Sequence, residues 1–310
     1  MLLGLCATAA GQATRPATSP ATAEAGAASR VEIARAYLRF ERAYRDHPPA
    51  RERVPEVNRA FDALTMQFFA GRGAAAVAAL DRLTESLTGR AVEPSDEAPF
   101  APRPGEFRLE VGAGKIPALL AYPNAPAGHR MPLVIALHGA GGTEDLFMAG
   151  YGAGRLKELA EDRGFILLCP STLGVLPAAA FVTDAVAAID ARAGEHPSVD
   201  PDRVYLIGHS LGAFAATTVA VREGDRLAAM CLIAGGGRID LVKHLPPTLL
   251  VAGGLDPIVK PERVTDSFDR ARRAGKSVEL RVMGDHGHTL VVGDAMPDAV
   301  DWLLNRRRGD

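Results

Sequence analysis

The chain is poor in several things, and each shortage removes a class of protein. It has three cysteines in 310 residues, Cys6, Cys169 and Cys231. That is too few for a disulfide-stapled scaffold, and no CxxC or Cys/His spacing suggests structural zinc. It has no surplus of positive charge: 35 Lys and Arg stand against 37 Asp and Glu, a net charge of −2. A nucleic-acid-binding surface needs a basic excess, so neither DNA nor RNA is expected as a partner. No apolar run approaches the ~18 residues of a membrane-spanning helix, and no integral membrane span is expected. What is present is an ordinary globular composition, 47% hydrophobic and 23% charged. It excludes wholesale disorder and supplies a sizeable core. The length fits one large domain or two unequal ones.

Leu2 to Ala10, LLGLCATAA, resembles the tail of a secretory apolar region with an A-x-A site at Ala7-Thr8-Ala9. A basic leader is missing, and Leu5 before Cys6 does not suit a lipoprotein signal. Residues 7–29 hold ten Ala, four Thr and two Pro but only two charges, a linker composition. The expectation is a secreted or periplasmic protein, with a cytoplasmic one as the alternative.

Ser29-x-x-Glu32 is a capping-box signature. Behind it Ile33, Tyr37, Phe40 and Tyr44 share one helical face, as do Val57, Phe61, Leu64 and Phe68, and then Ala76, Leu80, Leu83 and Leu87. Three amphipathic helices are expected within residues 30–89. About 60 residues make a marginal core on their own, so the segment is expected to act as scaffold or cap, with partner binding as the alternative. Residues 90–106 read as a Pro-rich linker.

From residue 107 to 310 strand-length apolar runs alternate with Ala-rich helical stretches. Strands are expected at Phe107–Val111, Ala118–Tyr122, Leu133–Leu137, Ile166–Cys169, Val204–Ile207, Met230–Ile233, Thr248–Val251 and Glu279–Val282. Helices are expected at Arg155–Asp162, Phe181–Ala193, Ala213–Glu223, Pro261–Ala274 and Pro297–Arg306. Alternation with continuous apolar strands predicts an α/β fold: a mostly parallel eight-stranded sheet covered by helices on both faces.

The chemistry centres on Gly208-His209-Ser210-Leu211-Gly212, a G-x-S-x-G. The pentapeptide alone is moderately specific; its context strengthens it, because an apolar strand precedes it and a helix follows. A nucleophilic serine on a sharp strand-to-helix turn needs flanking glycines, since side chains there would clash. The helix N-terminus places the Leu211 amide where negative charge develops. The bland reading is a Gly-rich structural turn.

Asp200-Pro201-Asp202-Arg203-Val204-Tyr205-Leu206-Ile207-Gly208-His209-Ser210-Leu211-Gly212 resembles the nucleophile elbow of the α/β-hydrolase superfamily. It is similar to serine esterases of the polyhydroxybutyrate-depolymerase, feruloyl-esterase and prolyl-oligopeptidase-like branches. The resemblance covers about residues 105–308 and leaves out the helical segment. It implies that the loop His138-Gly139-Ala140-Gly141-Gly142, after the third strand, provides the second oxyanion donor at Ala140, beside Leu211. A phosphate-binding loop fails in detail: no G-x-x-x-x-G-K-[ST] occurs here, and at Gly114-Lys115 the pattern is broken by Leu109 and Ile116. His138 is expected to hydrogen-bond behind the site rather than react.

The resemblance implies the order Ser, Asp, His. Gly253-Gly254-Leu255-Asp256 resembles the segment carrying the acid, with Asp240 as a rival. Gly284-Asp285-His286-Gly287-His288-Thr289 follows the last strand and offers His288 as general base, with His286 as the alternative. His244 is expected to be exposed. The H-x-H pair would suit a metal only with a third ligand, which is not evident. His209 and Asp285 are expected as neighbours of the site. Phe147, Met148, Tyr151, Leu173, Val175 and Leu176 line an acyl pocket or belong to the core. If the strand order follows the family, about three strand spacings of ~4.8 Å separate Cys169 from Cys231, so both are expected as free thiols.

The expected reaction is hydrolysis of a carboxylic ester, small or polymeric, through an acyl-enzyme on Ser210. No metal or organic cofactor is implied. A peptidase or amidase of the same fold is the alternative, and a catalytically inactive hydrolase fold used for binding is the third reading. No proposed catalytic part falls before Ala140, and the short stretch Gly235–Pro247 leaves no room for a large lid. The site is expected to be open unless the N-terminal helices cover it.

Overall fold

A computed structural model describes residues 28–93 and 105–309. The leader-like stretch and most of the expected linkers lie outside the described residues, as does Cys6.

The capping box forms as its residue types dictate. The Ser29 hydroxyl accepts the Glu32 N–H at 3.2 Å, and Glu32 Oε2 accepts the Ser29 N–H at 2.7 Å. It opens α1 (Arg30–Asp46). Then come α2 (Val54–Phe69), with Pro55 in its first turn, and α3 (Gly73–Thr88), which stops at Gly89 in the left-handed region, φ +68°. Phe40 and Phe61 stack at 5.0 Å in the middle of this segment. Its buried cluster also includes Leu290 from near the other end of the chain, so the three helices complete their core on the sheet domain.

That domain runs β1 (Glu106–Val111), β2 (Ile116–Ala121), β3 (Arg130–Leu137), α4 (Arg155–Arg163), β4 (Ile166–Pro170), α5 (Thr172–Val175), α6 (Phe181–Asp190), β5 (Ser198–His209), α7 (Leu211–Glu223), β6 (Ala229–Ile233), β7 (Thr248–Gly253), α8 (Pro261–Arg273), β8 (Val278–Met283) and α9 (Leu290–Leu304). The strands form one eight-stranded sheet in the order β1-β2-β4-β3-β5-β6-β7-β8. β2 is antiparallel to β1 and β4, and all other pairs are parallel. Leu133, Ile135 and Leu137 face one apolar cluster while Val134 and Ala136 face the other. A strand buried on both faces must be apolar at every position, which is why β3 reads as a continuous run. β4 and β6 stand three places apart in the sheet, and Cys169 and Cys231 are free and buried.

Several expected bounds shift, including those of β2, β3 and α6, and three shifts bear on the site or its packing. β5 begins at Ser198 rather than Val204, because Ser198 and Val199 pair with Arg130 and Met131 across a register shift before Leu133. α7 begins at Leu211, directly after Ser210, two residues earlier than expected. The last helix does not start at Pro297; it starts at Leu290 and carries Pro297 inside it. An internal proline costs about 3 kcal/mol through a lost N–H bond and a clash at position i−4. Here i−4 is Gly293, and the fully buried Val291, Val292, Met296, Val300 and Leu303 offset the loss. At roughly 1.5–3 kcal/mol per buried side chain, packing outweighs one broken helical bond.

Candidate functional site

The carboxyl ends of β3, β5, β7 and β8 bring the candidate residues together, as parallel α/β sheets generally do. Ser210 sits between the last residue of β5 and the first of α7 with φ +53° and ψ −113°. A non-glycine residue pays about 1–3 kcal/mol for such a backbone, so the turn is held by its surroundings. Two of them are glycines. A Cβ on Gly208 would strike the Gly212 carbonyl, and one on Gly212 would strike the Leu137 carbonyl. The Ser210 N–H is spent on Ile233 O at 2.9 Å. Leu211 supplies the first helical N–H, which has no acceptor within the helix.

His288 and Asp256 form a buried pair. His288 Nδ1 lies 2.7 Å from Asp256 Oδ2, with side chains 6% and 0% exposed. Asp256 Oδ1 accepts the N–H groups of Ile258 and Val259, both at 2.8 Å. The carboxylate therefore cannot rotate, and the proton on His288 sits at Nδ1, leaving Nε2 as the basic nitrogen. Ser210 and His288 line the same cavity. Among the described residues no hydrogen bond joins the Ser210 hydroxyl to the ring. Such bonds often tighten only around substrate.

The other histidines have separate duties. His286 Nε2 lies 2.7 Å from Asp294 Oδ2, away from Asp256. His244 is exposed, as are Asp285 and Leu173. Asp240 is engaged by the Arg238 guanidinium at 2.8 Å. His138 is buried, with Nδ1 2.8 Å from Gly139 O and Nε2 accepting the Thr172 N–H at 3.2 Å. Burial lowers its pKa and keeps the ring neutral. Among the described residues no group of three His, Cys, Asp or Glu side chains is placed to hold a metal ion, and no helix is long and apolar enough to cross a membrane.

His209 is more informative. Its Nε2 lies 3.0 Å from the His288 carbonyl, which can only accept, so Nε2 carries the proton. Nδ1 then accepts from the Tyr151 hydroxyl at 2.9 Å, and that hydroxyl accepts the Gly139 N–H at 3.3 Å. One chain of hydrogen bonds thus ties the loop after β3 to the backbone of the His288 loop. Burial holds the His209 pKa well below its ordinary value, with the nearby His288 adding to the effect. Only the neutral ring can serve both bonds. Phe147, Met148 and Val175 belong to the core, while Tyr151 does both jobs, buried yet lining the cavity.

The helical segment, from which no catalytic part is expected, nevertheless touches the backbone of the site. α2 reaches the His288 loop directly: Asn58 Oδ1 accepts the Gly287 N–H and Asp62 Oδ2 accepts the His288 N–H, both at 2.8 Å. Asp62 is 2% exposed, and its Oδ1 is buried without a hydrogen-bond partner among the described residues. Burial, above all, pushes its pKa up to about 6. α1 adds Glu41, whose Oε2 accepts the Gly152 N–H at 3.1 Å, and burial raises that carboxyl to about 8. Two acidic residues inside an amphipathic stripe were the available signal. Asp62 adjoins Phe61, and Glu41 adjoins Phe40.

The helices also roof the cavity, which measures about 510 Å³. Its floor holds Ser210, His288, His209 and the loop Gly139–Thr143; its walls come from all three N-terminal helices and Ile258. The site is covered rather than open. Ala140 is exposed toward the cavity, and Gly141 takes φ +77° with Phe68 and Phe69 packed above it.

Residues 134–243 match the model of the alpha/beta hydrolase family. No curated protein matches the sequence. Among solved structures the chain is similar to a thermostable esterase at 21% identity and TM-score 0.52, covering 66% of this chain and 63% of that one, so it spans just under two thirds of that esterase. It is also similar to the S-formylglutathione hydrolase FrmB of Staphylococcus aureus, at 14% identity and TM-score 0.52, covering 66% of this chain and 99% of that one. The S-formylglutathione hydrolase of Agrobacterium tumefaciens gives 17% identity and TM-score 0.51, covering 66% and 97%. These likenesses identify the fold as that of the α/β-hydrolases.

Proposed function

We propose that this chain, an α/β-hydrolase fold roofed by three helices, is a serine esterase that cleaves a carboxylic ester. One observation carries the reading: a strained Ser210 opens into a cavity shared with His288, and His288 is locked to a buried, doubly anchored Asp256. Ser210 Oγ attacks the ester carbonyl while its proton passes to His288 Nε2. Asp256 holds the Nδ1 proton and stabilises the imidazolium. The oxyanion is met by the Leu211 and Ala140 amides. Collapse breaks the bond to the alcohol oxygen, which takes the proton from His288. Water then attacks the acyl-enzyme by the same proton path and releases the acid.

The esterase and the S-formylglutathione hydrolases named above act on esters and thioesters, and their fold supports the choice. An acylaminoacyl peptidase shares it at 13% identity and TM-score 0.50, which keeps peptide cleavage as an outcome of the test. A panel of p-nitrophenyl esters, run with Ser210→Ala, is the experiment. Ester turnover that vanishes in the variant, with fluorophosphonate labelling of the parent, is expected. Peptide turnover without ester turnover would replace the esterase by a peptidase. An unlabelled protein would end the serine-hydrolase reading.

A further inference from the structure

The cavity extends from the reacting serine into the helical segment, where its chemistry changes. Near the sheet it offers backbone amides, a hydroxyl and an imidazole. Among the helices it is walled by Ile33, Tyr37, Leu64, Phe68, Ala76 and Leu80. Three helices that served only as scaffold would close on one another, because protein interiors pack to a density of ~0.75. These helices stack Phe40 on Phe61 on one side and leave a hollow on the other. Small residues, Ala34 and Ala76, hold the hollow open from α1 and α3. At its edge Val31 and Phe69 remain 47% and 53% exposed, large apolar side chains around a concave mouth.

From this we propose that the helical segment is the specificity element of the site and takes an unbranched hydrocarbon arm of the ester. The inference rests on the esterase reading for the identity of the reacting group. The hollow offers little of what a peptide would need. The Thr65 hydroxyl is occupied by Phe61 O at 3.4 Å and the Tyr151 hydroxyl by His209 and Gly139; Arg30, Tyr37 and Asp145 are the remaining ionisable side chains of the lining outside His209 and His288. Amide groups buried among these side chains would go unpaired at a cost, whereas methylenes gain by burial. A cavity of about 510 Å³ falls in the range that encloses a small ligand.

The experiment compares two ester series. One varies the acyl chain from acetate to decanoate with a p-nitrophenol leaving group; the other varies the alkyl alcohol with an acetyl group. In one of the two, kcat/KM should rise roughly fourfold per methylene, the equivalent of ~0.8 kcal/mol per buried CH₂, and the series that rises names the arm. Thr65→Phe and Ala34→Phe should each lower the long-to-short ratio at least tenfold. The ratio is measured within one protein, so partial misfolding, which depresses both substrates alike, leaves it unmoved. Decanoate binding to Ser210→Ala by calorimetry adds a readout independent of turnover. Decanoate bound more tightly than acetate, and weakened by Thr65→Phe, supports the pocket even if every ester is refused, in which case only the esterase reading falls. Flat profiles in both series together with equal binding of acetate and decanoate overturn the inference and leave that reading in place.

Discussion

Replacing Asp62 separates what this side chain does for the His288 loop from what it costs the fold. Its Oδ2 accepts the His288 N–H, its Oδ1 has no hydrogen-bond partner among the described residues, and burial raises its pKa from the ordinary 3.8 to about 6. The groups facing it are the His288 ring, which favours its charge, and Asp256, which opposes it. An acid whose pKa is higher folded than unfolded prefers to fold protonated. Its contribution is therefore fully present below about pH 4 and is lost as pH rises through about 6. At ~1.4 kcal/mol per pH unit, the ionised carboxylate costs at most roughly 3 kcal/mol above pH 7. Asp62→Asn keeps an oxygen to accept the His288 N–H and removes the charge. Urea unfolding should find it more stable than the parent by ~1–3 kcal/mol at pH 8, with the gain gone at pH 4. Asp62→Ala instead leaves a buried N–H unpaired, worth about 1–3 kcal/mol. The His288 loop loosens, so kcat should fall roughly tenfold with KM for a short ester little changed, and Asp62→Asn should recover most of that loss. The account is refuted if Asp62→Asn is less stable than the parent at pH 8, or if Asp62→Ala turns over a short ester at the parental kcat.

Other expectations follow from the same contacts. Glu41 is buried with a pKa near 8, so Glu41→Gln should raise the melting temperature at pH 9 and lose that advantage below about pH 5, as calorimetric scans at the two pH values would record. Tyr151→Phe removes the hydroxyl between Gly139 N–H and His209 Nδ1; it should slow fluorophosphonate labelling about tenfold and destabilise by roughly 1–3 kcal/mol. Gly212→Ala forces a Cβ onto the Leu137 carbonyl, and soluble protein with parental activity from that variant would contradict the packing described for the elbow. Burial raises both Cys169 and Cys231, the latter to about 12; in the native state these two thiols should resist a thiol reagent, and a disulfide mapped between them by mass spectrometry would contradict the strand order.

The middle of the sheet was legible in the sequence because strands such as β3, β4, β6 and β7 are buried on both faces and their apolar runs have no other use. The residues of the candidate site were legible for a related reason. They stand at strand ends, where Gly208 and Gly212 or the pair Gly253-Gly254 announce a tight turn. The lower boundary of α9 was not legible, since Pro297 suggests a helix start and only the burial of side chains such as Val291, Val292 and Met296 offsets an interior proline. Asn58 and Asp62 were hidden more deeply. Periodicity reports which side of a helix is covered, not what covers it, and a polar residue within the stripe looks like an irregularity. Its partner, the His288 N–H, belongs to the backbone and leaves no mark in the sequence.

That contact joins residues 226 positions apart. Contacts of such separation form late, because the long loop between them must close first. On a ribosome the three helices emerge early and wait, with the covered side of α2 unmet, until the loop beyond β8 has been made. The proposed site therefore cannot be finished piecemeal. Full turnover would report that the earlier-made and later-made segments have met, which makes activity, more than helix content, the measure of whether a preparation has matured.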